Sequence, residues 1–191
     1  MSWMDELERR LAGRPLREPE PSPGSRRAGV LVPLFVREGM LWIVLTRRTE
    51  TVEHHRGQIS FPGGAEEPGD EDLSSTAIRE TGEELGVRPG DARLLGPLSP
   101  IVTVTDFYVA PFVAAIPQPY VFSPAESEIA QVIEAPVAAL SEPAIRETRF
   151  LPGRHEPVLF YRYGEHVIWG ATARILAELL EALGSVGSGL H

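Results

Sequence analysis

Residues 61–87 read FPGGAEEPGDEDLSSTAIRETGEELGV and join a glycine turn to one short, strongly acidic segment. Between positions 66 and 84 a single base, Arg79, stands among eight acids, which are Glu66, Glu67, Asp70, Glu71, Asp72, Glu80, Glu83 and Glu84. Like charges three or four residues apart destabilise an isolated helix by about 0.2–0.5 kcal/mol per pair. A bound cation would reverse the sign of this interaction, so the stretch predicts more than a solvated surface.

The second half of this stretch predicts a helix from Leu73 to Leu85 that ends at Gly86. On a helical wheel its apolar side is formed by Leu73, Ala77, Ile78, Thr81 and Leu85. The carboxylates of Glu80, Glu83 and Glu84 share an arc of roughly 100° beside that side. Mg²⁺ prefers oxygen ligands and is usually held by one or two carboxylates together with water and substrate phosphates. We therefore predict a divalent-ion site on this ridge.

The glycine turn lies at a fixed distance ahead of the ridge. At Gly63 and Gly64 the backbone can approach a ligand closely, so that carbonyls or amides face an ion or a phosphate. Arg79 lies next to Glu83 on the wheel and can orient a carboxylate through paired hydrogen bonds. An acid-rich helix by itself is more often a solvated face. The turn and the ridge together favour a functional site.

Length and composition exclude several classes of protein. A chain of 191 residues, 42% of them hydrophobic, can bury one full core. Its net charge of −9 offers no basic face to nucleic acid, and no apolar run reaches the roughly 18 residues that span a bilayer. The start of the chain lacks the apolar segment of a signal peptide, and the absence of cysteine excludes disulfides and a thiol nucleophile. We expect a cytoplasmic protein that binds neither nucleic acid nor membrane.

Apolar, β-rich runs predict strands on both sides of the acidic stretch. The runs AGVLVPLFV and MLWIVLTRR predict a hairpin, and a further strand is expected in SFPGG. Strands are also predicted in RLLGPLSPIVTV and FYVAPFVAAI, where prolines indicate an edge or a bend. SEIAQVIEAPVAALS can be a strand that turns into a short helix, VLFYRYGEHVIWG predicts a second hairpin, and ATARILAELLEALG predicts a helix that ends at Gly184. This order predicts a mixed sheet with helices packed on it, of the α/β or α+β class.

Three regions are predicted along the chain. Residues 1–27 combine a helix with a proline- and arginine-rich arm, residues 28–183 form the main domain, and residues 184–191 form a disordered tail. The first helix carries an apolar stripe, which consists of Trp3, Met4, Leu7 and Leu11. This stripe can pack against the chain's own sheet or form the contact of a homodimer, and the sequence does not choose between the two.

The acidic stretch resembles the Nudix box of diphosphate hydrolases. That box reads Gly, five residues, Glu, seven residues and Arg-Glu-U-x-Glu-Glu-x-Gly-U, where U is aliphatic. Residues 79–87 match its second half with Thr81 at an aliphatic position, and Glu71 matches the upstream acid. The glycine of the box falls on Ala65, whereas the chain has Gly64, so the loop is one residue longer. The resemblance implies an α/β/α sandwich with a mixed sheet, in which Gly63, Glu71 and Gly86 are structural residues.

The segment just upstream resembles the signature of Nudix enzymes that cleave coenzyme A. That signature reads Leu-Leu-Thr-x-Arg-Ser/Ala-x3-Arg-x3-Gly-x3-Phe-Pro-Gly-Gly, and residues 44–64 read VLTRRTETVEHHRGQISFPGG. The matching residues are Thr46, Arg48, Gly57, Phe61, Pro62, Gly63 and Gly64. The departures are Val44, Thr49 and Glu53, of which Glu53 reverses a charge. The longer loop and a late IWGATARIL segment are further habits of this subfamily.

The resemblance implies hydrolysis of coenzyme A, or a derivative, to 4′-phosphopantetheine and adenosine 3′,5′-bisphosphate. It implies Mg²⁺ or Mn²⁺ on Glu80 and Glu84, with the backbone of Gly64 also at the metal and Glu83 as a third ligand or as the base. Arg79 would orient a carboxylate, and Glu128 in SPAESEIAQV is the alternative base. The candidate substrate-binding residues are Arg47, Arg48, His55, Arg56, Gly57 and Phe61. Phe61 can equally pack in the core.

Two other interpretations stay open. The chain can be a Nudix hydrolase of another nucleoside diphosphate derivative, such as ADP-ribose, because Glu53 departs from the coenzyme A signature. It can also be a non-catalytic ligand-binding module of the same fold. Such modules typically lose carboxylates of the box, whereas this chain keeps Glu71, Glu80, Glu83 and Glu84.

Overall fold

The computed structural model describes residues 2–50, 57–153 and 156–184. Within these ranges the helices are α1 (Trp3–Ala12), α2 (Leu73–Leu85), α3 (Val137–Leu140) and α4 (Gly170–Leu183). The strands are β1 (Arg26–Arg37), β2 (Met40–Arg48), β3 (Ile59–Ser60), β4 (Gly63–Ala65), β5 (Arg93–Pro97), β6 (Ile101–Val102), β7 (Phe107–Ala115), β8 (Ile129–Pro136), β9 (Arg146–Arg149), β10 (Val158–Tyr163) and β11 (His166–Trp169). Glu53, His55, Arg56 and residues 185–191 of the predicted tail lie outside the described residues.

The predicted first hairpin is confirmed as β1 and β2, which pair antiparallel from Leu34 and Ile43 to Arg37 and Met40. The turn between them is Glu38-Gly39, and both residues have positive φ, 53° and 74°. Two left-handed residues in a two-residue turn match the right-handed twist of the flanking strands. The second predicted hairpin is confirmed as β10 and β11.

The main sheet is mixed, as predicted. Its described strands run in the order β3-β2-β1-β7-β5, and β4, β6 and β8 pair with β1, β7 and β2. Strand β1 is antiparallel to β2 and parallel to β7. A second sheet contains β9, β10 and β11.

Helices cover both faces of the main sheet, which confirms the predicted sandwich. Alternate residues of β1 point to opposite faces. Leu31 and Phe35 pack in clusters with α2, whereas Val32 and Leu34 pack in the cluster that contains residues of α1 and α4. In the described part of the chain, no helix is long and apolar enough to cross a bilayer.

The N-terminal helix packs against its own chain. Ser2 caps α1 by accepting a hydrogen bond from the Asp5 amide. Leu7 and Leu11 are buried in the main core, and Trp3 and Met4 are partly buried against it. Of the two predicted uses of this apolar stripe, the structure shows the intramolecular one.

The proline in β7 does not mark an edge. Strand β7 is central, with β1 on one side and β5 and β6 on the other. Pro111 lies where the pairing passes from β5 to β6, and its carbonyl accepts a hydrogen bond from the Leu98 amide at 2.9 Å. A proline lacks an amide donor, and the gap between β5 and β6 reduces the demand for one.

Candidate functional site

Helix α2 has the predicted bounds, and both of its ends have local causes. Asp72 caps the first turn by accepting a hydrogen bond from the Ser75 amide at 2.9 Å, and the Ser75 hydroxyl accepts one from the Asp72 amide. Gly86 ends the helix in a left-handed conformation with φ 71°. Because α2 packs on β1, its C-terminal half presents Glu80 and Glu84 to the glycine turn.

Gly63 and Gly64 bring the backbone of β4 against the carboxylates of α2. The Gly63 amide donates a hydrogen bond to Oε2 of Glu84 at 3.1 Å. A Cβ atom at position 63 would lie 2.4 Å from the Gly29 carbonyl oxygen, and one at position 64 would lie 2.4 Å from the carboxyl carbon of Glu80. The turn therefore approaches its neighbours closely at both glycines, as predicted.

Glu84 is a buried carboxylate, 5% exposed. Burial raises its pKa to about 7, and this effect is opposed by the Gly63 amide and by the positive charge of Arg48. Nη1 of Arg48 donates to Oε1 of Glu84 at 3.3 Å. When a cation binds, a buried carboxylate of this kind can give up a bound proton or its hydrogen bond with a backbone amide.

Glu80 lies near Glu84 and is partly buried. Burial raises the pKa of the Glu80 carboxyl, and the hydrogen bond from Arg79 opposes that rise. Nη1 of Arg79 donates to Oε1 of Glu80 at 3.0 Å. The charge of Glu80 also contributes to the raised pKa of Glu84, so the two carboxylates lie within electrostatic reach of each other.

Arg79 ties the loop after the glycine turn to the acidic ridge. Its Nε and Nη2 donate to the two oxygens of Asp70 at 2.9 and 3.0 Å, and Nη2 also donates to the Ala65 carbonyl at 3.1 Å. Its Nη1 bonds Glu80 and Glu83. The hydrogen bonds from Arg79 hold the pKa of Asp70 well below its usual range, and those to Asp70 raise the pKa of Arg79. Arg79 thus orients Glu80 and at the same time fixes the loop that carries Asp70.

The carboxylate that holds Arg79 belongs to Asp70, whereas the sequence comparison assigned the upstream acid to Glu71. Glu71 is exposed. Counted backward from Arg79, the box places its acid at position 71. Counted forward from Gly64, it places the acid at position 70, so the extra loop residue follows Asp70. The forward count was the signal that would have found Asp70.

Glu83 stands apart from the other two ridge carboxylates. It is exposed, and its Oε1 accepts a hydrogen bond from Arg79 at 3.1 Å. Among the described residues, no three acidic or histidine side chains are grouped closely enough to hold an ion. The structure therefore does not gather Glu83 with Glu80 and Glu84 into a three-carboxylate cluster.

The loop that carries Glu128 is fixed to the end of α2 and to β2. The Ser123 and Ala125 amides donate to the carbonyls of Leu85 and Glu84, both at 2.9 Å. The Thr49 amide donates to the Glu128 carbonyl at 2.8 Å. The Glu128 carboxylate lies near Arg48, whose Nη2 donates to it at 3.4 Å. A residue 44 positions beyond Glu84 thereby contacts the same arginine as Glu84.

The remaining predicted substrate-binding residues lie in different places. A β-bulge between Arg47 and Arg48 shifts the pairing of β2 with β8, and Arg48 reaches the carboxylates of the site. Among the described residues, no ion pair joins Arg47 to those carboxylates. Gly57 has φ +62° and approaches Glu50, where a Cβ would lie 2.3 Å from its carboxylate. Phe61 is 3% exposed and its ring packs in the main core, which is the alternative that the sequence also allowed.

The donor set at Glu80 and Glu84 fits a divalent ion. Both groups offer oxygen ligands, and Gly64 leaves no side chain between the turn and the Glu80 carboxylate. Mg²⁺ and Mn²⁺ accept such a set and complete their coordination with water and substrate phosphate oxygens. The two carboxylates would hold the ion, and Gly64 would give it access.

Comparison with known proteins agrees with the fold and the motif. The NUDIX domain family model matches residues 25–156. A protein of Cronobacter sakazakii named "Uncharacterized Nudix hydrolase NudL" is 37% identical over 187 residues, covering 93% of this chain and 95% of that protein. A protein of the same name from Enterobacter sp. is 38% identical over 165 residues, covering 83% of each chain. A MutT/nudix family protein from Enterococcus faecalis has the same fold, with a TM-score of 0.59 at 15% identity over 96% of this chain and 70% of that one. The chain belongs to the Nudix hydrolase family.

Proposed function

We propose that this protein hydrolyses the diphosphate bond of coenzyme A or its derivatives to 4′-phosphopantetheine and adenosine 3′,5′-bisphosphate. The observation that carries the proposal is the meeting of two motifs at one carboxylate. Glu84 of the Nudix box accepts hydrogen bonds from Gly63 and Arg48, and both donors belong to the coenzyme A signature. Two residues of the signature thus contact the carboxylate of the box, which supports one site built from both motifs.

The chemistry requires that negative charge be neutralised and that water be made nucleophilic. Glu80 and Glu84 would hold a Mg²⁺ or Mn²⁺ ion, and the ion would supply both effects when bound. Arg79 holds Glu80 in place through the hydrogen bond between them. Glu128 or Glu83 accepts the proton of the attacking water as its oxygen bonds to phosphorus, and the bridging P–O bond breaks toward the leaving phosphate.

Recognition of the substrate would fall to basic side chains at the end of β2. The 3′-phosphate of coenzyme A distinguishes it from simpler nucleotides and calls for a bidentate partner. Arg47 is partly exposed at that end, and it is our candidate among the described residues. Arg56 and His55 follow in the sequence.

The test is turnover of coenzyme A, 3′-dephospho-coenzyme A and ADP-ribose by the purified protein with Mg²⁺ or Mn²⁺, with products identified by mass. We expect the highest kcat/KM with coenzyme A, and a loss of at least about 100-fold in Glu84→Gln. A higher kcat/KM with ADP-ribose than with coenzyme A would make ADP-ribose the substrate. If Glu84→Gln hydrolysed the substrate at the parent rate, the site around Glu84 would not be the catalytic site.

A further inference from the structure

One guanidinium lies between the buried carboxylate of α2 and the carboxylate of the β7–β8 loop. Nη1 of Arg48 is 3.3 Å from Oε1 of Glu84, and its Nη2 is 3.4 Å from Oε2 of Glu128. The Arg48 side chain is 24% exposed. Its Nε is buried and has no hydrogen-bond partner among the described residues. The two carboxylates therefore determine the orientation of the guanidinium.

The backbone of Glu128 is anchored independently of its side chain. Hydrogen bonds from Ala125 to Glu84 and from Thr49 to Glu128 fix the loop on two sides. The Glu128 side chain itself is 51% exposed. In the described part of the chain, no group other than Arg48 bonds its carboxylate. A half-exposed glutamate with a fixed backbone still has several side-chain rotamers, and the contact with Arg48 selects among them.

We propose that Arg48 is a positioning residue, which holds the carboxylate of Glu128, the loop candidate for the base in the proposed function, beside Glu84. This inference rests on the proposed hydrolytic function. Glu128 takes the proton of the attacking water, the water oxygen bonds to phosphorus, and the leaving phosphate takes the electrons of the broken P–O bond. Arg48 neither binds nor loses a proton in these reaction steps. Its effect reaches the reaction through the carboxylate that it holds.

This role differs from that of a phosphate ligand, which is the other use of an arginine in such a site. Both outer nitrogens of Arg48 are already directed at carboxylates. A phosphate ligand contributes to substrate binding, so its removal raises KM. A positioning residue for the base contributes to the chemical step, because a base must lie within hydrogen-bond reach of the proton that it removes. Its removal lowers kcat.

The test is a double-mutant cycle with Arg48→Ala and Glu128→Gln, measured with the substrate that the parent protein turns over best. We expect Arg48→Ala to lower kcat by about 30-fold and to change KM by less than about 3-fold. Glu128→Gln should lower kcat by about 100-fold or more, and Arg48→Ala should cost little further in that background. Arg48→Lys keeps the charge without the two-pronged donor, so it should restore only part of kcat.

Arg37→Ala serves as the matched control, since it removes another partly buried arginine of the main sheet that bonds a glutamate, Glu134, at 2.7 Å. It should leave kcat and KM unchanged. A rise in KM with kcat intact in Arg48→Ala would make Arg48 a phosphate ligand. Full additivity of Arg48→Ala and Glu128→Gln would show that the two residues act independently. Either result overturns the positioning role.

Titration with Mn²⁺ alone gives a readout that does not depend on turnover. The guanidinium of Arg48 competes with Mn²⁺ for the carboxylate of Glu84. Arg48→Ala should therefore bind Mn²⁺ at least as tightly as the parent protein does. Loss of Mn²⁺ binding in Arg48→Ala would contradict this expectation. If the parent hydrolyses none of the three substrates, both proposals fail, whereas turnover with independent residues defeats only the positioning role.

Discussion

Adjacent glycines at positions 63 and 64 meet different kinds of neighbour. A Cβ at position 63 would strike the backbone of Gly29 and Val30, at 2.4 and 2.6 Å, in a residue with φ +152°. A Cβ at position 64 would strike the carboxylate of Glu80, the far end of a flexible side chain. Backbone cannot yield cheaply, whereas a side chain can rotate away. The two glycines therefore serve stability and ion binding separately.

We expect Gly64→Ala to keep the fold and lose the site. Its melting temperature should stay within about 3 °C of the parent value, while Mn²⁺ affinity and kcat/KM should fall about 10-fold or more because Glu80 is displaced. Gly63→Ala should lower the melting temperature by more than about 5 °C. Calorimetry and Mn²⁺ titration measure both variants. Equal destabilisation by the two substitutions would refute the distinction.

Substitutions of Asp70 and Glu71 test which of the two acids holds Arg79. Asp70→Asn removes the paired hydrogen bonds of Arg79, so we expect lower stability at pH 7 and lower kcat/KM, with Glu71→Gln as the near-neutral control. The pKa of Asp70 is lowered in the folded state from its usual value of 3.8. Its contribution is therefore present above about pH 4 and is lost as the pH falls below that value. Thermal unfolding from pH 3 to 7 should show the difference between Asp70→Asn and parent shrinking in acid. A larger effect from Glu71→Gln would restore the original assignment.

At the scale of elements, the sequence predicted what local patterns determine. The end of helix α2 was predicted from Gly86, and the structure adds a cap at Asp72 that fixes its start. Strand β9, Arg146–Arg149, was not predicted, because RETR has no apolar alternation and, among the described strands, pairs only with β10. The bulge that directs Arg48 to Glu84 depends on the register of β2 with β8. Long-range pairing of that kind leaves no signal in a short sequence window.

Gly86 couples the end of α2 to the loop of Glu128. It has φ +71°, and a Cβ there would lie 3.0 Å from Cβ of Ser123. We expect Gly86→Ala to destabilise the protein by about 1 kcal/mol through backbone strain and to lower kcat by displacing the loop. Gly164→Ala is the matched control, because its φ is +58° and nothing lies within 4 Å of its Cβ position. Chemical denaturation and steady-state kinetics should show comparable strain in both variants and a kcat loss in Gly86→Ala alone. A similar kcat loss in Gly164→Ala would contradict the coupling.

At the scale of the whole molecule, the site depends on a sheet that is closed on both faces. Helix α2 occupies one face and supplies the carboxylates, while α1 and α4 cover the other face. The composition predicted a single core of this size, and the motif predicted α2, yet the sequence left the apolar stripe of α1 with two uses. The choice depended on whether the main sheet has a face on which α1 can pack. Only the assembled topology shows that face.

Leu7 tests this closure, because it is fully buried in the core of its own chain. We expect Leu7→Ala to destabilise the protein by about 2–5 kcal/mol, the usual range for a buried leucine that leaves a cavity. The loss should be the same at 1 and 100 μM protein, since no second chain is needed to bury the side chain. Val104→Ala, at a residue that is 73% exposed, should change the stability little. If α1 formed a dimer contact instead, the parent's melting temperature would rise with protein concentration and that rise would disappear in Leu7→Ala.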